Sequence, residues 1–511
     1  MTSHSILGRC NGDGARRDGA DEPSFFADLN LDQIVASITA GKEEYNLKPF
    51  FYRPLSDAAD IVFRQEIMRE LEHSGLFGAI KRFAETMRVV RRQLAQAGEL
   101  SYERQKQRWF LAAAETYCLG ASRLADDLGC AAPKARGLRA IADYLSRYVR
   151  SDRFAGLERS TQKLRENLAA IHYSVLINGG KVEVCRYNGE RDYGRDVAAT
   201  FERFELGAVD DYTFDFSDSA RMNHIETQIL EQVAKLYPEV FADLANFVVE
   251  QEAFADATIV RFDREVQFYI SVLDYLEPLK QAGLRCCYPQ IDRSSKEIYG
   301  VQGFDLALAD KMLADKTVPV CNDFYLAGDE RVIIVSGPNQ GGKTTFARTF
   351  GQLHYLASLG CPVAGTRAKL FLFDELFTHF EKEEDITNLR GKLQDDLVRI
   401  DAILERATPN SIVIMNEIFT STTFHDARAL SRKIAAEIFA LDLLCVWVTF
   451  LDDLSTLASQ TVSMVSTVAP DDPAKRTYKI LRQPADGLAY ALAIAEKHRL
   501  VYRALKERLG P

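Results

Sequence analysis

The sequence predicts a multidomain chain: an all-α region carrying a small β-rich insertion, followed by an α/β domain. Three observations carry this. Apolar residues recur at helical spacing through the first half of the chain. A turn-rich, aromatic stretch interrupts them at about 176–219. After about Lys316, short β-branched runs alternate with helical segments, the pattern of a parallel sheet covered on both faces. The 511 residues suffice for about three domains at a soft ~150 residues each.

Residues 1–23 are rich in Gly, Asp and Arg and read as a disordered tail. Residues 24–315 form the helical region. Ile61, Phe63, Ile67 and Leu71 make one stripe, and Ile225, Ile229, Val233 and Leu236 another. Phe262, Val266, Tyr269, Leu273 and Leu276 make a third, stepping by fours and threes as in the seam of a long packed helix. Within this region, Asn178-Gly179-Gly180 lies between Tyr173–Ile177 and Val182–Val184 and predicts a hairpin. Residues 316–511 form the α/β domain, with Val332–Val335, Ile412–Met415 and Leu443–Val448 as buried strands.

Composition narrows the function classes. Lys and Arg number 63 against 73 Asp and Glu, a formal charge of −10, which argues against a broadly basic nucleic-acid coat but leaves room for a local basic patch. Nine scattered cysteines with no C-x-x-C pair argue against zinc and disulfide frameworks and fit a reducing cytoplasm. No signal-like N-terminus and no membrane-length apolar run is expected.

One motif carries chemistry. Gly337-Pro338-Asn339-Gln340-Gly341-Gly342-Lys343-Thr344 matches G-x-x-x-x-G-K-[ST], after a buried strand and before a helical segment, Thr345–Leu359. This predicts a P-loop NTPase (ABC-like) domain. Glycines let backbone amides wrap phosphates at a helix N-terminus. Lys343, expected to face solvent or ligand, supplies a cation, and the Thr344 hydroxyl can ligate Mg²⁺. The partner strand Ser411–Glu417 should end in acid, but its first acidic position is Asn416, which keeps an oxygen and lacks the charge. Glu417 is the candidate to orient water. ATP and Mg²⁺ are the expected cofactors.

Here the residues resemble a known family. The block Gly337–Thr345, with Asn322-Asp323, Phe377–Phe380, Glu417, Ser421-Thr422-Thr423, Asp426 and Gly487–Ala495, resembles the ATPase domain of the MutS family of DNA mismatch-repair proteins. Phe51-Tyr52-Arg53-Pro54-Leu55, Ile61 and Arg64 resemble the start of its core and lever region, and 176–219 stands where that family has a DNA clamp. The resemblance implies ATP-dependent clamping on DNA by a homodimer, in mismatch repair or recombination-related maintenance. Lys181, Arg186, Arg191 and Arg195, beside Tyr187 and Tyr193, are the expected DNA contacts.

Departures from the family shape the expectation. This chain holds no recognisable mismatch-reading or connector domain, so it resembles a shortened member. Phe450 stands where the family has a switch His, and Gly391–Asp396 lacks the Ser-containing signature. Together with Asn416 these predict ATP binding with slow hydrolysis. The competing reading is a nucleotide-gated scaffold that hydrolyses little and engages a protein. The basic stretch Lys81–Arg108 reads as DNA contact or as a solvated helix face. His354, His379 and His425 lack metal spacing and are assigned to packing or surface, and Ser421–Thr423 to a helix cap or a site element.

Overall fold

A computed structural model describes residues 4–9, 20–73, 75–179, 181–190, 222–381 and 391–485. They fall into two compact units. One combines the described parts of 1–73, 135–137 and 264–511; the other combines 74–134 and 138–263. The units therefore do not divide at 315/316. Residues 20–73 and 264–315 fold with the α/β segment because their apolar side chains share its core. Phe26 stacks edge-on against Tyr355, Phe51 packs on Phe268, and the Tyr355 hydroxyl donates to Phe51 O at 2.7 Å.

The 74–263 unit is helical. Leu76–Glu99 buries Leu76, Ile80, Phe83, Met87 and Val90, one face at three- and four-residue steps. Its neighbour Glu103–Ala131 approaches closely: a Cβ on Gly120 would lie 2.8 Å from Thr86 Cγ2. The buried Tyr117 hydroxyl accepts from Asp256 N at 2.9 Å and meets the Tyr148 hydroxyl at 3.0 Å. The expected hairpin is present. β1 (Tyr173–Asn178) pairs antiparallel with β2 (Lys181–Arg186) in the register Asn178↔Lys181, and Gly179 takes a φ of 60°. The rest of the β-rich insertion, from 191 to 219, lies outside the described residues. Helix His224–Leu236 opens with a capping box, Asn223 with Glu226. Of its predicted stripe Val233 is buried, whereas Ile225 is exposed. The third stripe is borne out on helix Ala257–Gln281, where all its members are buried.

In the other unit, β7 (Val332–Ser336), β10 (Leu376–Phe380), β11 (Ile412–Asn416), β12 (Leu444–Val448), β13 (Thr461–Ala469) and β14 (Asp472–Arg482) form one sheet in the order β10-β11-β12-β7-β13-β14. All neighbours are parallel except β13/β14. The central β7, β11 and β12 are buried at every position, as their unbroken apolar sequences require. Helix Lys343–Ser358 follows β7, and nearly every residue from Phe346 onward is buried. A second, four-stranded sheet contains β4 (Gln290–Asp292), β5 (Ile298–Gly303), β6 (Asn322–Leu326) and β9 (Arg367–Phe371), in the order β4-β9-β5-β6, and β3 (Cys286–Cys287) pairs antiparallel with β8 (Val363–Ala364).

Residues 4–9, assigned from composition to a disordered tail, are packed. Ile6 and Leu7 are buried, each worth about 1.5–3 kcal/mol of transfer free energy. Their own main-chain groups find side-chain partners on two helices of this unit. A Gly- and Asp-rich flank obscured a short apolar anchor. No helix of the described residues is long and apolar enough to cross a membrane.

Candidate functional site

The loop Gly337–Gly342 joins β7 to helix Lys343–Ser358. Its glycines answer distinct constraints. Gly337 and Gly342 take φ values of 108° and 91°, in the left-handed region where a side chain strains the backbone. Gly341 faces β13 so closely that a Cβ there would lie 2.1 Å from Ser466 Oγ. In return, Ser466 Oγ donates to Gly341 O at 2.7 Å, and Arg476 Nε donates to Asn339 O at 3.1 Å. Strands more than a hundred residues downstream thus shape the loop, and the motif itself gave no sign of them.

Lys343 lines the candidate ligand cavity but is closed to bulk solvent. It is 5% exposed, and its ammonium donates to Gly337 O at 2.9 Å and Asn339 Oδ1 at 3.1 Å. The Glu417 carboxylate lies 3.7 Å away. Burial lowers the Lys343 pKa below the ordinary lysine value, and Glu417 opposes that shift. The cation is stored against loop carbonyls and one acid, at the mouth of the helix dipole.

Thr344 Oγ1 donates to Asn416 Oδ1 at 2.9 Å. Asn416 is buried at the end of β11, and Glu417 follows it with φ 52°, held by its N–H to Val448 O at 2.9 Å. Phe419 also has a positive φ, 62°. Two non-glycine residues in the left-handed region within three positions mark a turn whose strain the surrounding sheet maintains. Sequence alone placed Glu417 after the strand but could not reveal this backbone.

A cavity of about 870 Å³ opens over the loop. Its lining combines polar groups, Lys343, Thr344, Thr345 and Glu417, with apolar ones, Met312, Val318, Pro319 and Val320. Asn322 and Tyr478 line it too. Asn322 is fixed on both sides of its amide: Nδ2 donates to Tyr478 O at 3.1 Å, and Oδ1 accepts from Ile480 N at 2.8 Å. The polar groups can take phosphate and the apolar ones a flat ring system. Of these residues, sequence reading missed Tyr478 and the Leu308–Val320 wall, which carry no motif.

Thr344 and Asn416 supply two neutral oxygens. That fits Mg²⁺ held with substrate phosphate and water, the usual manner of this ion, rather than in a protein cage. Among the described residues no group of three or more His, Cys, Asp or Glu could hold a metal.

The other expected residues are distributed as follows. Phe377–Phe380 lies in β10, in register with β11 so that Phe380 pairs with Asn416. His354 is fully buried, donates from Nδ1 to Phe350 O at 2.9 Å, and has its pKa lowered by burial to about 4. His379 Nε2 meets Asp396 Oδ1 at 3.0 Å, and both residues are buried. Thr423 caps helix Phe424–Leu441, its Oγ1 accepting from Asp426 N. Phe450 is 45% exposed and packs on Phe424, with ring centroids 6.2 Å apart.

The expected DNA contacts are less open than their sequence suggests. Arg186 donates to Leu236 O at 2.6 Å and lies 4.9 Å over the Tyr237 ring. Lys181 is exposed and 3.7 Å from Glu183. Arg191 and Arg195 lie outside the described residues, as does Gly487–Ala495. In the basic stretch, Arg82 pairs with Asp127 at 3.1 Å, Arg91 with Asp263, and Arg104 with Glu231 at 3.5 Å. That stretch is largely an ion-paired helix face.

Residues 333–505 match the model of MutS domain V. The chain is 26% identical over 231 residues to the DNA mismatch repair protein MutS of Geobacillus thermodenitrificans, covering 44% of this chain and 25% of that protein. It is 31% identical over 118 residues to the protein of the same name from Petrotoga mobilis, covering 23% of this chain and 14% of that one. It is 23% identical over 263 residues to the MutS protein homolog him-14 of Caenorhabditis elegans, covering 50% of this chain and 31% of the relative. The matched part thus spans a third or less of each relative's length.

Proposed function

We propose that this chain, a member of the MutS family, is an ATP-dependent DNA-binding protein with slow hydrolysis. It would act as a homodimer that clamps DNA in mismatch repair or related DNA maintenance. The observation that carries the reading is that Lys343, Thr344 and Glu417 line one large cavity, with Asn416 hydrogen-bonded to Thr344. Lys343 and the loop amides hold the outer phosphates. Thr344 and Asn416 would hold Mg²⁺, which would supply positive charge to the phosphates. Glu417 orients the attacking water. To act, Lys343 exchanges the Gly337 and Asn339 oxygens for phosphate oxygens, which are stronger acceptors.

Slow turnover follows from the same residues. Asn416 offers no negative charge to the metal. Phe450, exposed beside Phe424, cannot donate or accept a proton. The family name supports a DNA partner, and the relatives are named for mismatch repair.

A second reading, the nucleotide-gated scaffold with a protein partner, has one observation in its favour. The hairpin in the clamp position exposes Ile177 and Val182, directly paired across the strands, while Arg186 is engaged within its own unit. Exposed apolar pairs suit protein better than phosphate.

Titration of duplex, mismatched and branched DNA across a salt series, with and without ATP, tests the choice. We expect affinity to fall steeply with salt and to change with ATP. Preference for a mismatch should stay below the ~1–3 kcal/mol per base pair of direct readout. No binding to any DNA at low salt would leave the scaffold reading in its place.

A further inference from the structure

The segment Ser5–Arg9 is held as a bound peptide is held. Its main chain is read group by group. Ile6 N donates to Glu265 Oε2 at 2.8 Å, the Tyr269 hydroxyl donates to Ile6 O, and Arg64 Nε donates to Leu7 O at 2.8 Å. The Ser5 hydroxyl donates to the other oxygen of Glu265 at 2.9 Å. Ile6 and Leu7 are 0% and 3% exposed, and Arg9 pairs with Asp57 and Asp60 at 2.5 and 2.7 Å. The groove is thus built by helix Ala58–His73 and the Arg264–Gln281 part of helix Ala257–Gln281.

Its polar lining is buried with residues 5–9 in place. Arg64 is 0% exposed, Glu265 6% and Tyr269 0%. Such groups are costly to bury without partners, so they are suited to a ligand that presents consecutive main-chain N–H and C=O groups. The ligand chemistry is an extended peptide with a hydroxyl residue, two aliphatic residues and, two positions on, a cation.

Arg64 connects this groove to the cavity. Its Nη1 donates to Leu359 O at 2.9 Å, and Leu359 is the C-terminal cap of helix Lys343–Ser358, which begins at the phosphate loop. One buried guanidinium therefore holds the peptide's carbonyl and the far end of the nucleotide helix together. We propose that this groove is a regulatory peptide site: residues 5–9 dock there in cis, brace the nucleotide helix through Arg64, and on release weaken nucleotide binding. The docking half stands on its own contacts; the regulatory half rests on the ATP-binding reading above.

The test uses the full chain. In the wild type, the Ile6 amide should exchange with solvent hydrogen far more slowly than in a free peptide; free-peptide rates overturn docking without any mutation. A fluorescent, end-blocked peptide His-Ser-Ile-Leu-Gly-Arg should bind the chain carrying Ile6→Asp and Leu7→Asp. It should bind the wild type about tenfold or more weakly, because the tethered segment competes at a high effective concentration. A folded double variant that ignores the peptide, or equal binding to both chains, overturns the site. The double variant should bind ATP several-fold more weakly than wild type and regain affinity when peptide is added. Equal ATP affinity with and without peptide overturns the regulatory half. If the wild type itself binds no ATP, the nucleotide reading and the coupling fail together, while the peptide titration still decides docking.

Discussion

Thr344 and Asn416, 72 residues apart in sequence, are joined by a hydrogen bond of 2.9 Å from the Thr344 hydroxyl to the Asn416 side-chain oxygen. The contact ties the first turn of the nucleotide helix to the end of the neighbouring strand. It places both proposed metal-binding oxygens within one hydrogen bond of each other, and Glu417 beside them.

Replacing Asn416 by Asp keeps an acceptor for Thr344 and adds a charge. Asn416→Asp should bind ATP at lower Mg²⁺ concentration and turn over faster, read from ATP affinity and phosphate release across a Mg²⁺ titration. An unchanged Mg²⁺ requirement would remove Asn416 from the metal site. Glu417→Gln should abolish turnover. Glu417→Gly should abolish it too, yet melt no lower than wild type, because glycine relieves the φ of 52° by up to about 1 kcal/mol. A folded Glu417→Gly chain that hydrolyses normally would discard Glu417 as the water-positioning group.

Lys343→Met retains the aliphatic stem and deletes the ammonium. Nucleotide affinity should drop by more than about tenfold, one charge-assisted contact's worth. Unliganded melting should stay the same or rise. The lowered Lys343 pKa means that the folded protein holds this charge less favourably than water does. Calorimetric titration and thermal melting measure the two effects. A fall in melting temperature with full ATP affinity would make Lys343 a structural residue.

Gly341→Ala forces a Cβ against Ser466 Oγ and also toward Pro338 O, at 2.1 and 2.9 Å. We expect a loss of roughly 1–3 kcal/mol, as for overpacked interiors. Adding Ser466→Ala removes only the hydroxyl conflict, so the double variant should recover part of the loss. Purely additive effects in a denaturant double-mutant cycle would mean that the loop and β13 are not in contact.

His354 supplies a pH signature. Its folded pKa, about 4, lies below the ordinary 6.5, so the unfolded chain binds a proton first as pH falls. The stability from keeping His354 neutral is complete above pH 6.5. It is lost between 6.5 and about 4 at up to ~1.4 kcal/mol per pH unit, and this group loses no more below that. His354→Gln should flatten the denaturant-midpoint profile across that window. An unaltered slope would assign the acid sensitivity to other groups.

The phosphate loop, the strand ending at Asn416-Glu417 and the long stripe on helix Ala257–Gln281 were legible in the sequence. Each depends on local order: glycines at fixed spacing, an unbroken apolar run, a repeat of threes and fours. Tertiary structure alone decided the rest. It drew residues 20–73 and 264–315 into the α/β unit, and it fixed residues 5–9 between buried Glu265, Tyr269 and Arg64. It closed Ser466 and Arg476 onto a loop more than a hundred residues earlier, and it occupied Arg186 with Leu236 and Tyr237. The physical reason is the same in each case. Periodicity and motif spacing report what a segment can form with its near neighbours. Which distant groups neutralise a buried charge, accept a stray N–H or fill the space beside a glycine is settled only when the chain closes on itself.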